Sequence, residues 1–144
     1  MHQSNSLICD RSFEFASRIL KLCVRLHERG PIARHLANQL FRCGTSIGAN
    51  AEEAQEGQSK ADFIAKLSVS RKEAAESVYW LRLAMKSDIV EADDIRWELS
   101  EARQLLAMIR SAILTARSSD SALRPPPLRF ALCPLPSALR GSIS

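Results

Sequence analysis

Four basic residues near the start of the chain, Arg18, Lys21, Arg25 and Arg29, follow one another at steps of three, four and four. At about 100° per residue, that spacing puts four cations on one side of a helix, where they can track phosphates or meet an acidic surface. A second ladder, Arg96, Arg103, Arg110 and Arg117, recurs every seven residues. From Arg11 to Arg42 there are seven basic residues against Glu14 and Glu28, a net of +5. From Asn50 to Glu76, four basic residues face six acidic ones, a net of −2. The basic excess therefore sits in the first helix and the start of the second. It admits a polyanion or an acidic protein partner, and a solvated face fits it equally well.

Other chemistries fit poorly. Di-iron bundles need inward carboxylates and two Glu-x-x-His pairs. Glu53-x-x-Glu56 and Glu73-x-x-Glu76 lack the histidines, and none of His2, His27 and His35 has a Glu three residues before it. No phosphate-cradling glycine loop, zinc-protease motif or nucleophile elbow is present. Ser46 has no base in evident reach, and Cys43 has no histidine at a recognised spacing. We expect no enzyme, no metal and no cofactor. Cys9, Cys23, Cys43 and Cys133 form no CxxC pair, and the reading is buried, reduced thiols.

Helices must position these residues. Few aromatics, and no proline before residue 118 other than Pro31, point to an all-α chain. The spacing predicts four helices, over about 12–29, 31–56, 60–86 and 93–117. Ser12 is read as the cap of the first, with Phe13, Ala16, Ile19, Leu20, Cys23 and Leu26 as its apolar face. Gly30-Pro31 separates it from the second helix, whose seam is Leu36, Leu40, Cys43, Ile47, Asn50 and Ala54. Gly44 and Gly48, one turn apart, each cost about 1 kcal/mol in a helix interior; a close crossing explains them. Asn50 either fixes register from a buried position or turns to the seam's edge and meets water. Ser59-Lys60-Ala61-Asp62 resembles a capping box opening the third helix. Its stripe is Phe63, Leu67, Ala74, Val78, Leu81 and Met85. In the fourth, Ile95, Leu99, Ala102, Leu106, Ile109, Ile113 and Ala116 form a regular heptad.

Short connections imply an antiparallel, up-down-up-down four-helix bundle over residues 12–117. A flexible arm is expected over 1–11. A Pro-rich, disordered tail is expected over 118–144, which holds five of the six prolines. No run is apolar enough for a membrane span and no signal peptide is evident, so the expected location is the cytoplasm.

The stretch QLFRCGTSIGANAEEAQ, followed by SKADFIAKLSVSRKEAAESVYWLRL, resembles the bacterial four-helix bundle family of 23S rRNA intervening-sequence proteins, also called S23 ribosomal proteins. The matching positions are Ser46, Ile47, Asn50, Glu53, Phe63, Leu67, Glu73, Glu76 and Leu81, and the likeness spans about residues 10–117. Many relatives read Asn-x-Ala-Glu-Gly where this chain has Asn50-Ala51-Glu52-Glu53-Ala54. The Pro-rich end has no counterpart. The family is similar to the accessory variability protein of diversity-generating retroelements, a ring of five bundles that binds a reverse transcriptase and nucleic acid. The resemblance implies a homopentamer and a role around RNA or DNA. A scaffold that docks a protein such as a reverse transcriptase, without touching nucleic acid, is the alternative.

Overall fold

Gly30 and Ser59 set the first two reversals of the chain. Gly30 adopts φ 107°, a conformation few side-chain-bearing residues tolerate, and Pro31 starts the next helix directly after it. Ser59 Oγ accepts the amide of Asp62 at 3.1 Å and donates to Asp62 Oδ2 at 2.8 Å. Ser59 is thus the expected N-cap, but Asp62 meets its hydroxyl rather than its backbone amide, so only half of the capping box forms. The structure is a computed structural model that describes residues 2–119, with side chains from Ser6 onward. The expectation of a disordered tail falls mostly outside those residues.

Four helices result: α1 (His2–His27), α2 (Pro31–Gln55), α3 (Lys60–Lys86) and α4 (Arg96–Ser118), with a 3-10 turn at Ala92–Ile95 leading into the last. Contacts fix their directions. Ile19 lies against Gly44 and Ser12 against Gly48; Ser77 meets Cys43, while Ser70 meets Ile47; Arg11 meets Glu101, while Arg18 meets Glu98. In each pair one number rises as the other falls, so successive helices, and the first and last, run antiparallel. The bundle is up-down-up-down, and its sparsest seam is that between α1 and α4.

Two expectations about α1 are corrected. The helix begins at His2, not at Ser12, because Ile8 and Cys9 already lie in the core. The helix thus joins the core from Ile8, within the span expected to be a flexible arm, and Ser12 is a fully buried mid-helix residue rather than a cap. The apolar face is also rotated. Phe13 and Leu20 are 76% and 41% exposed, while Phe15 and Leu22 fill the core in their place. Both sets have helical spacing; the positions of α2 and α4 decide which one is covered.

On α2 the predicted seam holds except at Asn50. That side chain is half-buried and donates to the Ser46 carbonyl at 2.9 Å, while Ala51 takes the core position. In α3 a narrow stripe of Leu67, Ser70, Ala74, Ser77, Leu81 and Ala84 is buried, leaving Phe63, Val78 and Met85 half-buried. Its serines are satisfied: Ser70 donates to the Ile47 carbonyl at 2.8 Å, and Ser77 to the Glu73 carbonyl at 2.9 Å. In α4 Leu105 is buried ahead of Leu106.

The two glycines of α2 differ in what they tolerate. A Cβ on Gly44 would sit 2.9 Å from Ile19 Cγ2 and 3.3 Å from Ile19 Cβ, so the close crossing is real there. A Cβ on Gly48 would meet Ser12 Cβ at 3.4 Å, an ordinary contact. Gly48→Ala should therefore stabilise by up to about 1 kcal/mol through helix propensity. Gly44→Ala should destabilise by about 1–2 kcal/mol, because overpacking outweighs that gain. Urea denaturation of the two variants checks this; equal shifts would contradict it.

Candidate nucleic-acid interface

The structure divides the arginines into two populations. Arg11, which sequence reasoning passed over, donates from Nε and Nη2 to both oxygens of Glu101 at 2.7 Å, and from Nη2 to Gln104 Oε1 at 2.8 Å. One heptad later, Arg18 donates to Glu98 Oε1 at 2.9 Å and stacks 4.2 Å above the Trp97 ring. Both carboxylates are buried, Glu98 at 3% exposure and Glu101 at 7%. A buried carboxylate needs a partner, and α1 supplies the charge that makes these two tolerable. Arg18 thus helps to close the bundle, while its side chain stays 40% exposed.

Arg29 is also engaged: its Nη1 donates to the Ile89 carbonyl at 2.8 Å, tying the end of α1 to the connection between α3 and α4. Arg96 pairs with Asp93, one turn earlier, on the surface. Lys21, Arg25, Arg103, Arg110 and Arg117 are exposed, and no ion pair holds them among the described residues. Arg96 and Arg103, with Ser100, Gln104, Leu99, Ala92 and Met85 of α3, line a cleft of about 510 Å³. The seven-residue spacing thus brings two arginines and a hydroxyl to one concavity. Ser100 accepts from Gln104 Nε2 at 3.3 Å, and Gln104 accepts from Arg11, so one polar chain runs from the α1–α4 seam to the cleft.

The signature glutamates join helices. Arg42 of α2 reaches both Glu73 and Glu76 of α3. Trp80 Nε1 also donates to Glu76 Oε1 at 3.1 Å. Lys66 pairs with Glu53 across the same helices. Gly44, Ile47 and Gly48 belong to the packed seam, and Ser46 provides the carbonyl that Asn50 uses. Burial, the largest cause in each case, raises all three described thiols: Cys9 and Cys23 to about 11, and Cys43 above its ordinary value. Few thiolates are present near neutral pH, so these are packing residues and poor nucleophiles. Among the described residues, no helix is long and apolar enough to cross a membrane.

Glu98 and Glu101 were the residues missed. They carry a readable signal: two acids three apart flank the α4 seam, and two arginines seven apart flank that of α1.

Similarity to known proteins agrees with this architecture. The family model described as 23S rRNA-intervening sequence protein matches residues 4–111. A crystal structure of a protein of unknown function from the S23 ribosomal protein family, from Bacteroides thetaiotaomicron VPI-5482, is 34% identical. Its match covers 77% of this chain and 98% of that one, with a TM-score of 0.72. Among curated proteins, none matches.

The Arg42 guanidinium, and then the Trp80 indole, hold the Glu76 carboxyl below its ordinary value of 4.5. A depressed native value means that this contribution is present above the unfolded value and is lost as pH falls through the native one. Stability should therefore decline on acidification below about pH 5, and Glu76→Gln should flatten part of that decline. Urea midpoints measured at stepped pH check this; an unchanged acid slope would show that the pair contributes nothing.

Proposed function

The chain belongs to the 23S rRNA-intervening sequence protein family, and on that premise we propose that it is a non-enzymatic, self-associating bundle that binds RNA or another nucleic acid through its exposed cations. The cleft between Arg96 and Arg103 carries the reading. Two guanidinium groups one heptad apart, beside the Ser100 hydroxyl, suit a phosphate that accepts hydrogen bonds from both. Arg110 and Arg117 continue the same ridge for two further heptads, and Lys21 and Arg25 add charge on α1. Contacts of this kind bind a backbone without reading its sequence.

Triple substitution of Arg103, Arg110 and Arg117 by Gln should weaken binding to structured RNA by a similar factor for every sequence tested. It should also reduce the slope of log K against log salt by about 2–3. An unchanged slope would remove these residues from the interface. Arg11 and Arg18 are held by carboxylates and are not expected to contribute to that slope.

Self-association is supported by an apolar stripe that this chain leaves uncovered. Phe13, Leu20 and Val24 share the outer face of α1 and are 76%, 41% and 66% exposed; Phe41, 51% exposed, lies on the side of α2 that faces α1. A stripe of this size marks an interaction surface, and a second copy carrying the same stripe is the occupant we infer for it. Phe13→Ser combined with Val24→Ser should lower the solution mass by at least half while leaving helicity intact. Light scattering that gives the wild-type mass for this variant would overturn the assignment. A protein partner docked without nucleic acid, such as a reverse transcriptase, is the second reading. It is favoured by Leu114, 65% exposed on α4 beside the arginine ridge.

A further inference from the structure

The far end of the bundle carries a second concavity, larger than the arginine cleft. About 800 Å³ is enclosed between the end of α2, the start of α3 and the last three turns of α4. Its walls are apolar, formed by Ala54, Phe63, Met108, Ala112 and Ala116, and its mouth is polar, with Gln55, Gln58, Ser111 and Thr115. An apolar groove with one aromatic wall residue, Phe63, and a hydroxyl and amide rim can receive extended, proline-rich chain.

We propose that this groove is the docking site of the chain's own residues 123–135, LRPPPLRFALCPL, bound within the same molecule. Three observations converge on that occupant. The first is the exit point. Ser119 lines the groove, and its hydroxyl accepts a hydrogen bond from Lys60 Nζ at 3.1 Å, so α4 delivers the chain to the rim. Ten residues lie between Ser119 and Phe130, a reach of up to about 36 Å. The second is chemistry. Leu123, Leu128, Phe130, Leu132 and Leu135 alternate with prolines and two arginines, so the segment brings apolar groups and a low-entropy backbone. The third is charge. Arg124 and Arg129 have no acidic residue after Asp120 in their own segment, whereas Glu56 and Asp62 stand exposed next to groove residues Gln55, Gly57 and Phe63.

The groove belongs in part to residues beyond the family match, which ends at 111, and the segment lies wholly beyond it. Tethering gives an effective concentration of order millimolar, so an intrinsic affinity of about 0.1 mM keeps roughly nine molecules in ten docked. The groove shares no lining residue with the arginine cleft.

Trypsin tests it on the full chain. The Arg124–Pro125 bond resists trypsin, so Arg129–Phe130 is the reporting bond, and intact mass follows its cleavage. Cleavage tracks the undocked population when docking is fast, so Leu132→Ser combined with Leu135→Ser, which leaves both residues of that bond unchanged, should speed it about tenfold. Ser111→Arg, an exposed substitution that blocks the mouth, should do the same without changing the melting temperature by more than about 2 °C. Equal cleavage rates in all three proteins overturn the proposal. Protection that disappears on hundredfold dilution overturns it too, because the segment would then sit in another copy.

Discussion

Two carboxylates buried on the last helix make the rest of the structure possible. Glu98 and Glu101 sit where α4 meets α1, and a carboxylate removed from water there needs a cation as its partner. Arg11 and Arg18 supply it, one heptad apart and in register with the two acids. Hydrophobic burial drives α1 against α2 and α2 against α3 through continuous apolar seams. The α1–α4 seam is sparser, and its pairing is directional. A helix slip of one turn would leave a buried charge alone, at a cost of about 3–5 kcal/mol for a fully buried pair and less here, where the arginines are partly exposed. The polar pairs thus select one register, while the apolar contacts supply most of the stability.

That allocation decides what remains for function. Arg42, Arg11 and Arg18 are committed to carboxylates on neighbouring helices, and Arg29 to a backbone carbonyl. Among the described residues, exposed cations that no ion pair holds include Arg103, Arg110 and Arg117 on α4, Lys21 and Arg25 on α1, and Lys72, Arg82 and Lys86 on α3. Charge that has no partner within the fold is the charge available to a polyanion. Net charge alone does not make this distinction, since a committed arginine and a free one count equally.

Much of the architecture is readable from residue types. Gly30-Pro31 and the Ser59–Asp62 cap act over a few residues, so local chemistry alone places those boundaries within a residue or two. The heptad of α4 is legible because its apolar residues outnumber any competing phase. On α1 two phases compete: Phe13 with Leu20, and Phe15 with Leu22. The choice rests on contacts with α2 and α4 that no local pattern contains. The same limit hid the role of Glu98 and Glu101. A charged residue reads as solvated until a partner from a segment some eighty residues away is known. Asn50 turned to the seam's edge because its own helix offers the Ser46 carbonyl, and a backbone acceptor four residues back removes any need for a buried partner.

The division of arginines into committed and available groups can be read residue by residue. Modify the folded protein with an arginine-specific dicarbonyl, with and without structured RNA, and map the adducts by mass spectrometry. Arg11 should react slowly in both samples, whereas Arg103 and Arg110 should react readily alone and become protected by RNA. An adduct map that RNA leaves unchanged, or one in which Arg11 reacts as fast as Arg103, would contradict the account.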